Sequence, residues 1–139
     1  MLEKAEELNQ MYDAYFDFSP SERIKLMERL VNFKSLKEGW DGYGAWPIAD
    51  GAYNNVKHLI IALSADTLSR WQLSPGKNGS LTLSTKDNKA AGISIGNTTM
   101  SYGLITDKGD NVTWQGRFSL DAAIEAFRKI HELLGYEKP

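Results

Sequence analysis

The sequence predicts an α+β fold: an antiparallel β-meander of about five strands packed on helices, in the order ααα-βββββ-α. Two observations carry this. Apolar residues recur at helical spacing up to Leu63, switch to alternation from Trp71, and return to helical spacing after Ser119. The alternating segments are joined by PGKNGS, KDNK, GNTT and DKGD, turn-forming runs too short for parallel crossovers. A chain of 139 residues can bury one ordinary core, so residues 1–139 are expected to form a single domain. Within it, residues 1–36 would be a helical pair, and 37–139 a helix, the sheet and a C-terminal helix.

Leu2, Ala5, Leu8, Tyr12 and Tyr15 or Phe16 outline the first helix. Ser19 is the expected cap of the second, with Pro20 in its first turn and Glu22 as capping-box partner. Ile24, Met27, Leu30 and Val31 would be its buried stripe, and it should end near Leu36. A third helix follows Pro47, with Tyr53, Val56, Ile60 and Leu63 on one face and Leu59 beside them. Strands are expected at 71–73, 81–85, 90–95, 100–106 and 111–118. Their outward positions would be Thr82, Ser84, Gly92, Ser94, Ser101, Gly103, Thr113 and Gln115, a small and polar face. Ser119 caps a last helix that turns Leu120, Ala123, Ile124, Phe127, Ile130 and Leu134 inward, pairs Glu125 with Lys129, and stops at Gly135.

Composition narrows the chemistry. Without cysteine there is no disulfide, thiolate metal site or Cys nucleophile. His58 and His131 are the two histidines, and neither has a His or Cys at ligand spacing, so neither a metal nor a cofactor is expected. A net charge of −2 gives no electrostatic reason to expect nucleic acid. Arg23, Lys25, Arg29, Lys34 and Lys37 make a basic face on the second helix, but Glu22, Glu28 and Glu38 interrupt it, as on a solvated surface. The longest apolar run, Leu59 to Leu63, is too short for a bilayer, and the charged start MLEKAEELNQ is unlike a signal peptide. The expectation is a cytoplasmic protein without membrane attachment.

Gly92-Ile93-Ser94-Ile95-Gly96 matches the G-x-S-x-G pattern of the serine-hydrolase elbow, with Asp107 or Asp121 and then His131 in hydrolase order. That elbow needs a strand turning sharply into a helix, whereas Asn97-Thr98-Thr99 leads here into another strand. The segment is expected to be an ordinary half-buried strand.

KEGWDGYGAWPI, residues 37 to 48, is the least ordinary stretch. Gly39 is placed to end the second helix, Asp41-Gly42 to turn, and Gly44 to turn again. Trp40, Tyr43 and Trp46 are expected to pack down and seal the joint between helices. The competing expectation is a site, in which Trp40, Asp41, Tyr43 and Trp46 meet a partner or ligand.

Within this stretch, WDGYGAWPI resembles W-D-G-Y-G-A-x-P-I, a signature of small, uncharacterised bacterial and phage proteins. The resemblance implies a helix after the signature, then a glycine-bearing turn and short strands, and it covers Leu36 to about Phe118. A Glu-Trp pair that often follows the glycine turn in that family is missing, since Gly79 precedes Ser80-Leu81-Thr82-Leu83. The resemblance implies no activity. The sequence thus points to a non-enzymatic accessory or regulatory protein that binds another protein. The alternatives are a small-molecule or glycan-binding domain built on the WDGYGAW loop and, remotely, a serine hydrolase.

Overall fold

Ser21 opens the first helix in the computed structural model, which describes residues 21–87 and 90–136. The helix expected over residues 2–16 lies outside the described residues. The cap falls at Ser21 and not at Ser19 as expected, which makes Glu22 the first helical residue and not a capping-box partner. Helix α1 spans Glu22–Lys34, and the Ser21 hydroxyl accepts from Ile24 N at 3.2 Å. Leu26 and Leu30 are its buried residues, while Ile24 and Val31, expected inward, are exposed. Arg23 explains the rotation. Its guanidinium donates to Ile60 O and Leu63 O at 3.2 and 2.5 Å, turning the Arg23, Leu26, Leu30 face toward the next helix.

Helix α2, Asp50–Ala62, buries Ala52, Val56, Leu59 and Ile60. Its N-cap residue, Ala49, supplies no side-chain bond. Instead Asn97 Oδ1 accepts from Gly51 N at 2.8 Å, and Asn55 Nδ2 donates to Gly96 O and Asn97 O. A single turn, α3 (Ala65–Leu68), was not expected; Ser64 caps it by accepting from Thr67 N, and Leu68 is buried.

The sheet is the expected meander. Strands β1 (Trp71–Pro75), β2 (Leu81–Thr85), β3 (Ala91–Ile95), β4 (Thr99–Ile105) and β5 (Asn111–Arg117) lie in chain order, each antiparallel to the next. Leu73, Leu83, Ile93 and Tyr102 stand opposite one another across the inner face. A one-residue slip would exchange that row for serines and glycines, so burial fixes the register. The eight small polar positions expected to face outward do occupy the other, open face, alternating with the buried residues of β2, β3 and β4.

Helix α4, Leu120–Leu134, begins at Ser119, whose hydroxyl accepts from Ala122 N at 3.0 Å, and ends at Gly135 with φ 76°. Ala123, Phe127, Ile130 and Leu134 are buried as expected, together with Ala126 and His131. Leu120 and Ile124 are exposed instead. The helix is rolled toward Trp71, which is fully buried, meets the Phe127 ring edge-on at 4.8 Å, and donates through Nε1 to His131 Nε2 at 2.9 Å. On the wet side Glu125 pairs with Arg128 rather than Lys129, and Arg128 also reaches Glu132. One continuous core joins residues from Leu26 to Leu134. Among the described residues, no helix is long and apolar enough to cross a membrane.

Candidate functional site

The joint between α1 and α2 is a closed ring of backbone. Helix α1 stops at Lys34, so Gly39 does not end it as expected. Gly39, Gly42 and Gly44 all have positive φ, at 77°, 78° and 82°, a region costly for other L-residues. Those three reversals bring Gly39 N onto Ala45 O at 2.7 Å, which shuts the ring. Asp41 braces it from within: its Oδ1 accepts from Tyr43 N at 2.8 Å and from Ala45 N at 3.1 Å. Trp40 is half-buried and donates through Nε1 to Trp46 O at 2.9 Å, spanning the ring.

The ring is also tied to the sheet. Trp46 N donates to Lys77 O, Trp46 bridges Asn78, and Ala49 N donates to Gly79 O. Ala45 and Ile48 are buried and anchor it from below. The four candidate residues therefore share one loop but divide its work. Trp40 and Asp41 hold the backbone. Tyr43 and Trp46 do not pack down as expected; they stand 88% and 62% exposed. Ala45 and Ile48 take the buried positions of the loop, and the Asp41 bonds and the positive φ of Gly42 and Gly44 fix the backbone that carries Tyr43 and Trp46 outward.

The hydrogen bond from Tyr43 N lowers the Asp41 pKa below its ordinary 3.8, burial opposes this, and the Ala45 bond and Lys77 charge add to the lowering. A carboxyl depressed in the folded state stabilises fully above its unfolded value and loses that contribution as pH falls through the folded value. Acidification below pH 3.8 is thus expected to loosen the loop before the core. Faster exchange of the Tyr43 and Ala45 amides by NMR would register it. Asp41→Asn, which keeps an acceptor oxygen but cannot titrate, should abolish that pH dependence.

Gly79 couples ring to sheet. Its φ is +84°, and a Cβ there would stand 3.0 Å from Pro47 O. Gly79→Ala is expected to cost about 1–2 kcal/mol from the left-handed backbone, with more from the forced shift of the Pro47 carbonyl. Thermal melts would show the loss, and a change in Trp46 fluorescence would show the ring moving.

Beside the ring, the open face of the sheet hollows into a trough of about 800 Å³, lined by Asn78, Ser80, Ser94, Asn97, Ser101, Gln115 and Arg117 among others. Asn78 belongs to both features, since it also bridges Trp46. Sequence alternation identified Ser94, Ser101 and Gln115 as a polar face, but nothing local signalled that Asn78 and Asn97 would wall it. Ser94 sits within β3, and its hydroxyl lies 3.5 Å from Ser80 Oγ. His131 is in the core with Trp71 on the far side of the sheet, so the two cannot form the elbow geometry. Among the described residues, no three His, Asp or Glu side chains gather as metal ligands would. The basic face of α1 is largely committed within the fold: Arg23 and Arg29 to backbone carbonyls, Lys25 to Glu22 and Lys34 to Asp50.

Comparisons of the chain with protein-family models, with curated proteins and with solved structures find no match. The WDGYGAWPI resemblance accordingly rests on its own nine residues, whose geometry is the ring described above.

Proposed function

We propose that this is a non-enzymatic accessory or regulatory protein that binds another protein through Tyr43 and Trp46. One observation carries the proposal: two large aromatics stand in solvent on a loop whose backbone is fixed by hydrogen bonds to itself and to the sheet. Exposed aromatic area is unfavourable in water, and each such side chain can bury on the order of 150–250 Å² against a partner. A braced loop has little conformational freedom left to lose on binding. Tyr and Trp are also the residues that dominate interface energetics.

A second reading, a small-molecule or glycan-binding domain, is favoured by the polar trough that shares Asn78 with the ring. The same pair of proteins tests both. Wild type and a Tyr43→Ser/Trp46→Ser variant would be immobilised and exposed in parallel to native-host lysate and to a glycan array. A protein held by the wild type and lost by the equally stable variant supports the first reading. Identical protein capture by both would overturn it, and glycan retention by the wild type alone would favour the second.

A further inference from the structure

The two edges of the sheet are finished differently. In β1 the outward backbone groups belong to odd-numbered residues, because Gly76 N bonds Ser80 O and Lys86 N bonds Arg70 O in the even-numbered register. That edge is guarded. Arg29 Nη2 donates to Leu73 O at 3.1 Å, Pro75 has no N–H to offer, and α1 packs alongside.

Among the described residues, the β5 edge has none of these devices. Phe118 N bonds Thr98 O and Thr106 N bonds Asp110 O, so the even-numbered residues of β5 are spent on β4. The N–H and C=O groups of Asn111, Thr113, Gln115 and Arg117 point away from the sheet, and no described residue bonds them. The strand carries no proline and no acidic residue, and Arg117 is its one charge. Exposed apolar groups gather on this side as well. Trp114 stacks on Tyr102 at 5.7 Å and lies over Gly116, yet remains 40% exposed. Leu120 and Ile124, one turn apart on α4, are exposed in the helix layer on the same side of the sheet.

We propose that β5 pairs antiparallel with β5 of a second copy of this chain, about a two-fold axis through Trp114. The sequence NVTWQGR is self-complementary in that register. Thr113 would exchange both backbone bonds with Gln115 of the second copy, and Asn111 with Arg117, which uses the outward groups and sets no like charges face to face. On the helix side Val112 meets Gly116, where the side chain is absent and the indole of Trp114 supplies a flat wall. Trp114 then meets its own copy, and Leu120 and Ile124 of both copies flank the pair. One sheet would run through both copies, leaving the two Tyr43/Trp46 rings free on the same assembly.

Sedimentation equilibrium from micromolar to near-millimolar protein is the test. The expected result is a concentration-dependent species of twice the chain mass. Thr113→Pro removes an outward N–H without touching a β4 bond, and should give monomer with unchanged circular dichroism. Should that variant fail to fold, Thr113→Lys/Gln115→Lys, which sets lysines opposite one another across the axis, decides instead. A wild type that stays monomeric throughout overturns the proposal, as does a dimer that survives the β5 variants. Loss of the dimer in Tyr43→Ser/Trp46→Ser would place self-association at the ring and overturn it too.

Discussion

Trp71→Ala is expected to lower the stability of the fold by about 3–5 kcal/mol, the usual cost of truncating a fully buried aromatic. The indole fills the space between β1 and α4, edge-on to Phe127 and stacked near His131 at 6.0 Å. Removing it leaves a cavity and also takes away the donor to His131 Nε2. The two losses are partly separated in Trp71→Phe, which keeps most of the packing and deletes the N–H. That variant should lose about 1–3 kcal/mol, the typical cost of stranding a buried polar atom. Urea unfolding of the three proteins, at unchanged denaturant slope, measures both. A Trp71→Ala protein as stable as wild type would mean that α4 does not dock through this contact.

Tyr43→Ala and Trp46→Ala are expected to do the opposite: change stability little and binding greatly. Neither side chain is buried, so each should shift unfolding by no more than about 0.5 kcal/mol. If they are the anchors of an interface, each should weaken the partner's affinity by about 2 kcal/mol or more, roughly thirtyfold. Trp40→Ala is the contrasting control, because its Nε1 bond to Trp46 O braces the ring. It should destabilise the loop and weaken binding together. Titration calorimetry beside thermal melts distinguishes the two patterns. Large stability losses in Tyr43→Ala and Trp46→Ala, with affinity intact, would make the ring a structural joint after all.

The sheet was readable in the sequence because alternation and short turns act locally, and a one-residue slip would move Leu83 or Ile93 to the open face. The Asp41-Gly42 turn, the Ser119 cap and the Gly135 stop were readable for the same reason. Helix rotation was harder. Ile24/Val31 and Leu26/Leu30 are both acceptable stripes, and Arg23 chooses between them through carbonyls 37 and 40 residues away. In α4 the choice depended on a Trp71 partner 60 residues from His131. The exposure of Tyr43 and Trp46 was not legible either. Aromatics are usually core, and the loop conformation that carries these two outward is fixed by bonds such as Gly39 N to Ala45 O, six residues apart.

The cap on α2 has a consequence for the order of assembly. An isolated helix begins at a nucleus made by its own first turn, yet here the donor Gly51 N waits for an acceptor 46 residues downstream. Gly51 is closed to larger residues for that reason, since a Cβ would stand 2.5 Å from Asn97 Oδ1. The start of α2 therefore cannot be completed before the β3–β4 turn has formed and reached it. Loop closure over that span has to precede the reward. The segment from the aromatic ring to Ala62 should accordingly acquire its native shape late and all at once, with the meander as its template, and a peptide cut from it should remain unstructured in water.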